Sequence, residues 1–274
     1  MRWATVRHSD GSTNAARVEA DGYIELATSD VGELIRQSAV GNDVAETGRV
    51  FSSDDVALAP VVVTPGKIIC VGRNYMSHIR ELGRELPDYP TLFAKFTSTL
   101  IGAEDVIELP ADATTVDWEA ELAFVIGRPT RHASPSEARN AIAGYTIAND
   151  VTERTWQFRT AQWLAGKNLE ASTPVGPTLV SPDVVDHGED LEVRCLVDDI
   201  EMQSARTSDL LFKPTDIVQY ISEFISLDPG DLILSGTPGG VGHAMDPPQY
   251  LNEGNVVRTS VEGIGELVNP CRKH

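Results

Sequence analysis

Three acidic side chains form the pattern in this sequence that is most able to do chemistry. Glu119 and Glu121 alternate with apolar residues along DWEAELAFVI, residues 117–126. Alternation with a period of two predicts a β-strand that carries both carboxylates on one face, about 6.6 Å apart. A second apolar run, residues 144–148, ends in Asn149-Asp150. Two predicted strands therefore offer three carboxylates between them.

Two interpretations of the acidic face are open. In one, the strand lies at an edge of a sheet and its carboxylates point into water without a function. In the other, Glu119, Glu121 and Asp150 are removed from water, where like charges repel one another unless a cation binds them. Three carboxylates without His or Cys partners make a site of hard oxygen ligands, which suits Mg²⁺, Mn²⁺ or Ca²⁺ better than Zn²⁺.

The elements that position these acids are predicted to be mostly strands. From residue 67 onward, apolar runs predict several strands and only two clear helices. Ser134 followed by Pro135 marks the start of one helix, which is predicted to end at residue 143. This sparse alternation argues against a repeating βαβ barrel and favours a mostly β, mixed α+β domain. The predicted strands are residues 68–71, 118–126, 145–148, 191–197, 232–234 and 256–261, and the second helix is residues 215–226.

The N-terminal part of the chain differs in character from the rest. The turn signal Thr64-Pro65-Gly66 separates the two. We therefore predict a small N-terminal α+β domain over residues 1–65 and a catalytic domain over residues 66–274. Within the small domain, strand-like runs occur at residues 3–7, 16–19, 23–26 and 56–63, and a helical pattern occurs at residues 31–37.

The charge balance narrows the range of partners. The 274 residues include 22 Lys and Arg against 41 Asp and Glu, which gives a net charge of −19. Such a chain repels nucleic acid and anionic membranes. No apolar run approaches the roughly 18 residues of a membrane helix, and the N-terminal segment lacks the apolar stretch of a signal peptide. We expect a soluble, cytoplasmic protein in which Cys70, Cys195 and Cys271 are reduced and structural.

Five short motifs surround the acids in a fixed order. Together they resemble the fumarylacetoacetate hydrolase family, from about residue 67 to the C-terminus. Each motif is weak alone, whereas the set is specific. One departure is Glu170, since family members frequently carry Asp three residues after the lysine. The motifs are GRNYMSH at residues 72–78, EAE at 119–121, ND at 149–150, GK at 166–167 and SGTPGGVG at 235–242.

The resemblance implies a fold, a metal and a substrate class. The fold is the mixed β-sandwich roll of fumarylacetoacetate hydrolase C-terminal domains, usually in a homodimer, with a small variable N-terminal domain. The metal is Mg²⁺ or Mn²⁺, with Ca²⁺ as an alternative, and the family holds it with the residues that match Glu119, Glu121 and Asp150. The ligand is a small acylpyruvate-like 2-oxo acid, which chelates the metal through its carboxylate and 2-oxo group.

Three residues are expected to be catalytic by the same resemblance. His78 precedes Glu81 by three residues, a spacing that puts both on one face of a helical turn. In family members such a pair activates water, because a carboxylate raises the basicity of the imidazole and fixes its tautomer. Lys167 matches the family's Gly-Lys, whose ammonium helps to neutralise the metal site and the developing oxyanion. The charged segment 76–96 is expected to form a lid over the substrate.

Other residues are expected to contact the substrate. Arg154 and Gln157 follow Asp150 at helical spacing, and an intrahelical Asp150–Arg154 ion pair is the structural alternative. Lys95 could approach the bound anion or could keep a strand edge soluble. The glycine-rich loop lacks the Lys-Ser/Thr of a P-loop, and its backbone N–H groups can approach an anion closely. The expected substrate-binding residues are Arg73, Tyr75, Lys95, Arg154, Gln157, Gly236 and Thr237.

The function predicted from these residues is hydrolysis of a C–C bond in an acylpyruvate, a fumarylpyruvate-like 2,4-dioxo acid of aromatic catabolism. His78 would deprotonate water, and the metal and Lys167 would stabilise the pyruvate enolate that leaves. Oxaloacetate decarboxylation, 2-hydroxyhepta-2,4-diene-1,7-dioate isomerisation and a hydratase reaction stay open with the same residues. A non-catalytic, Ca²⁺-dependent binding protein is the alternative from another class. No GxSxG or HExxH motif supports a serine hydrolase or a zinc protease.

Overall fold

A computed structural model describes residues 1–20, 22–39, 41, 43–52, 55–81, 83 and 85–274, with the backbone alone at residue 81. The strands are β1 (Arg2–Arg7), β2 (Thr13–Glu19), β3 (Gly22–Leu26), β4 (Glu46–Phe51), β5 (Ala57–Leu58), β6 (Ile68–Gly72), β7 (Thr91–Ala94), β8 (Leu100–Ile101), β9 (Ile107–Leu109), β10 (Val116–Asp117), β11 (Ala120–Ile126), β12 (Ile142–Asn149), β13 (Thr152–Glu153), β14 (Thr173–Val180), β15 (Glu192–Val197), β16 (Ile200–Arg206), β17 (Leu232–Leu234), β18 (Val256–Val261) and β19 (Gly265–Lys273). The α-helices are α1 (Val31–Ala39), α2 (Met76–Glu81), α3 (Pro135–Ala141), α4 (Arg154–Gln157), α5 (Leu164–Lys167) and α6 (Pro214–Phe224).

Most strands belong to one large sheet. Its order is β4-β3-β2-β1-β14-β12-β11-β17-β6-β7, with β5 beside β1 and β8 beside β14. A five-stranded sheet, β16-β15-β18-β19-β9, packs against one face of the large sheet through a shared apolar core, and β10 pairs with β13. Two packed sheets with few helices make a mostly β, mixed α+β fold. The predicted fold class is confirmed.

Strand β11 lies between β12 and β17 in the large sheet, and all seven of its residues are buried. Leu122 and Phe124 pack in the core that includes the five-stranded sheet, α3 and α6. Ala123 and Val125 pack in a second core with β6, β14 and α1. The predicted alternation is correct, but the face that carries Glu121 does not point into water. The solvated-edge interpretation is wrong, because a central strand covered on both sides has no exposed face.

Several predicted elements differ at their ends. The strand predicted over residues 118–126 is split into β10 and β11, and α3 stops at Ala141 because β12 begins at the next residue. The predicted cap of α3 is correct, since Ser134 accepts a hydrogen bond from the Glu137 N–H. Only β5 is strand within residues 56–63. The sequence patterns missed β14, in which Pro174, Gly176 and Pro177 interrupt the apolar run.

The N-terminal strands extend the large sheet. Strand β1 pairs antiparallel with β14, with Arg2 opposite Val180 and Trp3 opposite Leu179. The domain division at residue 65 and the homodimer stay predictions. The three cysteines are buried and free, as predicted. No helix within the described ranges is long and apolar enough to cross a membrane.

Candidate metal centre and active site

The three predicted acids meet at one end of the β11–β12 pair. The strand register sets Ala120 opposite Asn149, and the Asp150 N–H donates to the Glu119 carbonyl oxygen at 2.8 Å. Glu119, Glu121 and Asp150 are buried, and each offers one carboxylate oxygen within 4.8 Å of the others. One cation can contact all three, because oxygen ligands lie about 2.0–2.6 Å from Mg²⁺ or Ca²⁺.

Backbone hydrogen bonds hold the acids in place. Asn149 Oδ1 accepts from the Glu119 N–H at 2.9 Å, and the Gly236 N–H donates to Glu121 Oε2 at 2.6 Å. Gly236 has a φ of +102°, and a Cβ at this position would lie 2.9 Å from the Val71 carbonyl oxygen. Only glycine fits here, since any other side chain would clash and would strain the backbone.

Three buried cations neutralise part of the negative charge. Lys167 Nζ donates to Glu119 Oε2 and to Asp150 Oδ2, both at 2.7 Å. Lys95 Nζ donates to Asp150 Oδ1 at 2.7 Å, and Arg154 Nη1 lies 2.7 Å from Glu119 Oε1. No cationic side chain of a described residue forms an ion pair with Glu121. The positive charge is therefore shared unequally among the three acids.

This unequal pairing separates the pKa values of the carboxyls. Burial, together with the charges of Asp150 and Glu119, raises the pKa of Glu121 well above its ordinary value. Burial also acts to raise the pKa of Asp150, but Lys167 and Lys95 outweigh it, and the pKa is lowered. For Lys167, burial acts to lower the pKa, and the charges of Asp150 and Glu119 outweigh it, so that the pKa is raised. Glu121 therefore combines a raised pKa with a negative charge to which no side-chain cation of a described residue is bound.

These residues fit a divalent metal ion. The cluster provides oxygen ligands alone, a donor set that suits Mg²⁺, Mn²⁺ or Ca²⁺. Glu121 is a fully buried carboxyl whose hydrogen-bond partner is a backbone N–H. A divalent ion would supply the positive charge that Glu121 lacks. Glu119, Glu121 and Asp150 could therefore hold such an ion.

A cavity of about 290 Å³ adjoins the carboxylate cluster, with Glu119 and Lys167 in its wall. A larger cavity, of about 700 Å³, lies between α1 and the start of β12. The residues that line the larger cavity are mainly apolar and include no carboxylate, so the chemistry belongs to the smaller one. The smaller cavity is lined by Val71, Gly72, Arg73, His78, Glu119, Arg154, Gln157, Phe158, Trp163, Lys167, Thr237, Val241, His243 and Ala244.

Comparison with known proteins identifies the family. Residues 67–272 match the family model described as fumarylacetoacetate (FAA) hydrolase C-terminal. The chain belongs to the fumarylacetoacetate hydrolase family. The resemblance drawn from the five motifs is confirmed, and the chain is therefore a member of a family of enzymes.

Members of the fumarylacetoacetate hydrolase family that are similar to this chain carry different reaction names. The mitochondrial oxaloacetate tautomerase of Xenopus laevis is 37% identical over 243 residues, which cover 88% of this chain and 76% of that protein. The 2-hydroxyhepta-2,4-diene-1,7-dioate isomerase of Mycobacterium marinum has a TM-score of 0.82 at 35% identity, over 100% of this chain and 98% of that one. The fumarylacetoacetate hydrolase of Exiguobacterium antarcticum has a TM-score of 0.89 at 34% identity, over 100% of both chains. Acylpyruvate hydrolysis and a cytoplasmic location stay predictions.

Two of the predicted catalytic residues of this fumarylacetoacetate hydrolase family member line the cavity. His78, on α2, is 7% exposed, and Lys167 ends α5. Glu81 is the last residue of α2, and its side chain lies outside the described part of the chain. Its role as the partner of His78 stays a prediction.

Arg154 does not pair with Asp150, and the helix predicted to join them is absent. Residues Thr152–Glu153 form the extended strand β13, and α4 begins only at Arg154. The helical spacing argument therefore fails. Arg154 Nε instead donates to Asp117 Oδ2 at 2.8 Å, and its Nη1 donates to Gln157 Oε1 at 3.0 Å. Arg154 and Gln157 both line the cavity, as expected of substrate-binding residues.

Arg73 and Thr237 also line the cavity. The guanidinium of Arg73 lies 5.2 Å from the centre of the Trp163 ring. Thr237 Oγ1 accepts a hydrogen bond from Gln203 Nε2 at 2.8 Å, which leaves the threonine proton to be donated elsewhere. Both side chains are placed to contact a molecule in the cavity.

Tyr75, Lys95 and Gly236 do not line the cavity, although direct contact with the substrate was expected of them. Lys95 is 3% exposed and binds Asp150, so it is not a solubilising residue of a strand edge. Gly236 donates its N–H to Glu121. Tyr75 is fully buried, its hydroxyl has no hydrogen-bond partner among the described residues, and burial and the charge of Glu121 raise its pKa. These three residues lie behind the carboxylates rather than in front of them.

Among the residues of the site that were not predicted from the sequence are Asp117, Phe158 and His243. Asp117 is fully buried, and its carboxylate accepts from Arg154, from the Gly242 N–H at 2.7 Å and from the His243 N–H at 3.0 Å. The acidic face of the predicted strand included Asp117. Its partners in the glycine-rich loop are 125 and 126 positions away, so spacing rules do not find them.

Proposed function

We propose that this enzyme catalyses the keto–enol tautomerisation of oxaloacetate, or of a closely related 2-oxo acid, with Mg²⁺ or Mn²⁺ held by its three acids. One observation carries the proposal. Lys167 contacts Glu119 and Asp150 and also lines the cavity, and His78 lines the same cavity. The Lys167 ammonium and the His78 imidazole therefore face the same small cavity. Tautomerisation requires a base that moves one proton and a charge that stabilises the enolate.

In the proposed reaction, side chains of the protein move one proton from carbon to oxygen. The His78 imidazole removes a proton from C3 of the 2-oxo acid, and the electron pair of that C–H bond forms the C2–C3 double bond. Negative charge collects on the C2 oxygen, where the Lys167 ammonium stabilises it. Return of the proton to this oxygen gives the enol, and the reverse steps give the ketone. When bound, a divalent metal ion supplies Lewis-acid charge beside the carboxylate and the 2-oxo group.

We assign the second carboxylate of oxaloacetate to Arg73. Its guanidinium lines the cavity and lies against the Trp163 ring. A stacked guanidinium is partly ordered before the ligand arrives, so less side-chain entropy is lost on binding. The name of the Xenopus laevis relative, an oxaloacetate tautomerase, supports this substrate.

Hydrolysis of an acylpyruvate is the second candidate. The cavity continues past the carboxylates to the apolar residues Phe158 and Val241, which leaves room for an acyl group. In this reaction His78 would deprotonate water, and the hydroxide would add to the C4 carbonyl. The C3–C4 bond would then break, and its electron pair would remain on pyruvate as the enolate. The name of the Exiguobacterium antarcticum neighbour supports hydrolysis as a chemistry of this fold.

The test follows the loss of enol absorbance when enol oxaloacetate is added to protein loaded with Mn²⁺ or Mg²⁺. Pyruvate is measured separately, with oxaloacetate, acetylpyruvate and fumarylpyruvate as substrates, because pyruvate reports decarboxylation or hydrolysis. We expect the metal-loaded protein to make the enol disappear faster than it does without protein and to produce little pyruvate. After chelation of the metal, the protein should no longer accelerate the loss of the enol. Pyruvate from an acylpyruvate without acceleration of enol loss would favour hydrolysis. Ca²⁺ binding without turnover of any of these acids would favour a binding protein.

A matched pair of variants tests the residue that carries the proposal. Lys167→Met keeps most of the side-chain volume and removes the charge beside Glu119 and Asp150. We expect it to lose turnover, whereas Lys273→Met, in β19 and outside the cavity, keeps wild-type turnover. Equal turnover in both variants would contradict the proposed role of Lys167.

A further inference from the structure

Beside the cavity, an imidazole lies next to two aromatic rings. The ring centres of Phe158 and His243 lie 5.3 Å apart, and those of His243 and Tyr250 lie 6.3 Å apart. Phe158 and His243 line the cavity, and Phe158 is 55% exposed. We call Phe158, His243 and Tyr250 the aromatic rim. The reaction proposed above uses none of its three side chains.

Hydrogen bonds fix the aromatic rim relative to the carboxylate cluster. Asp117 Oδ2 accepts from the His243 backbone N–H at 3.0 Å and from Arg154 Nε at 2.8 Å. Arg154 Nη1 then lies 2.7 Å from Glu119 Oε1. One carboxylate and one guanidinium, both buried, therefore separate the rim from a candidate metal ligand. A ligand that is anchored at the carboxylates meets the rim at a defined distance.

The imidazole of the rim is suited to a neutral polar contact. Its Nδ1 lies 2.9 Å from Tyr250 Oη. Partial burial, together with the charge of Arg154, lowers the pKa of His243, which favours the neutral form of the ring. In the tautomer in which Tyr250 donates to Nδ1, His243 carries its proton on Nε2 and can donate it to an oxygen atom.

We propose that the aromatic rim is a second subsite, separate from Arg73, for a planar, unsaturated or aromatic substituent on C3, and that it lets the enzyme also bind 2-oxo acids in which such a group replaces the second carboxylate of oxaloacetate. This inference rests on the proposed function, since it takes the 2-oxo acid group to be anchored at the carboxylate cluster. A planar substituent buries apolar area by covering the exposed ring of Phe158. An edge or offset contact between two rings contributes binding free energy in addition to that burial. A methyl group offers neither interaction.

The test compares two ligands that share the 2-oxo acid group. Dissociation constants of pyruvate and phenylpyruvate are measured by calorimetry on the Mn²⁺-loaded protein, for the wild type, Phe158→Ala and His243→Ala. Phe224→Ala is the matched control, because Phe224 is 58% exposed on α6 and lies outside the cavity. We expect the wild type to prefer phenylpyruvate about tenfold, and Phe158→Ala to reduce that preference about three- to tenfold. Phe224→Ala should keep the wild-type preference.

The outcomes separate this inference from the proposed function. Equal binding of the two acids by the wild type, or an unchanged preference in Phe158→Ala, overturns the rim subsite and leaves the tautomerase proposal intact. Wild-type protein that binds neither acid overturns both proposals. A preference that depends on Phe158, in a protein that turns over no 2-oxo acid, supports the subsite and sinks only the proposed reaction.

Discussion

The two sides of the cavity are built differently. On one side, Glu119, Glu121 and Asp150 stand on β11 and β12, strands in the middle of a large sheet, and Lys95, Lys167 and Arg154 are buried around them. On the other side, His78 stands on α2, a helix of six residues that follows β6 near the end of the sheet order. Residues 85–89 beyond this helix are mostly exposed.

This difference separates two functions of the site. The carboxylate side can anchor any 2-oxo acid, because metal and carboxylate chemistry is the same for all of them. In the proposed reaction, the α2 side carries His78, the base that decides which atom loses or gains a proton. Relatives named tautomerase, isomerase and hydrolase share this fold.

The largest effect is expected on the carboxylate side, from Asp150→Asn. Lys95 and Lys167 both lose the carboxylate that they share at 2.7 Å. Removing one partner of a buried ion pair costs about 3–5 kcal/mol of unfolding free energy. We expect loss of Mn²⁺ binding, loss of turnover and a lower denaturation midpoint, measured by calorimetry, enol loss and urea titration. The exposed Asp112→Asn should match the wild type, and an Asp150→Asn protein that binds Mn²⁺ normally would show that the cluster is not the metal site.

A smaller and more selective effect is expected on the other side, from His78→Ala. A positioned acid–base group contributes about 10²–10⁴-fold to rate. We expect a loss of turnover in that range, with the Mn²⁺ dissociation constant and the denaturation midpoint close to the wild-type values. The same assays report all three quantities. If Mn²⁺ affinity fell together with turnover, the two sides would not be separable as described.

The three acids of the carboxylate side could be predicted from the sequence. Period two along residues 117–126 located Glu119 and Glu121, and the Asn-Asp pair after the next strand located Asp150. Burial of the acidic face could not be read from the strand itself. It depends on Ala123 and Val125 packing against distant elements, β6, β14 and α1, and that is a property of the tertiary fold.

The contacts around the acids were harder to predict than the acids. Arg154 was placed by helical spacing from Asp150, yet β13 intervenes and turns it towards Asp117. The His243 backbone N–H donates to the Asp117 carboxylate, although the two segments share no local pattern. Short motifs carry the identity of chemical groups, whereas the pairing of those groups depends on which strands become neighbours.

The pH dependence of metal binding further distinguishes the carboxylate side of the cavity from the α2 side. We expect it to arise from the carboxylate side alone. Burial and the neighbouring charges raise the pKa of Glu121, so protonation of this carboxyl competes with metal binding. We expect Mn²⁺ affinity to rise by up to about tenfold per pH unit below that pKa. The raised pKa means that the folded, metal-free protein binds this proton more tightly than the unfolded chain does, so the contribution of Glu121 to stability should fall as pH rises above about 4.3.

Calorimetry in two buffers of different ionisation enthalpy measures the protons released per Mn²⁺. The wild type and His78→Ala should release the same number, since His78 is not part of the carboxylate cluster. Glu121→Gln removes the titrating group and should abolish the release together with most of the affinity. Release of no proton at pH 6 by the wild type would mean that Glu121 is already ionised in the metal-free protein.

The smallest effect concerns the contact that holds α2 in place. The carboxylate of Asp209 accepts hydrogen bonds from both the backbone N–H and the hydroxyl of Ser77, at the first turn of this helix. Such a contact satisfies a free N–H group and favours the helix N-terminus, by about 0.5–2 kcal/mol in comparable caps. We expect Asp209→Ala to reduce kcat about two- to fivefold by loosening His78, with no change in Mn²⁺ affinity. The exposed Asp112→Ala is the control, and a kcat equal to that of the wild type would mean that the remaining contacts of α2, including the buried Ile79, are sufficient to position His78.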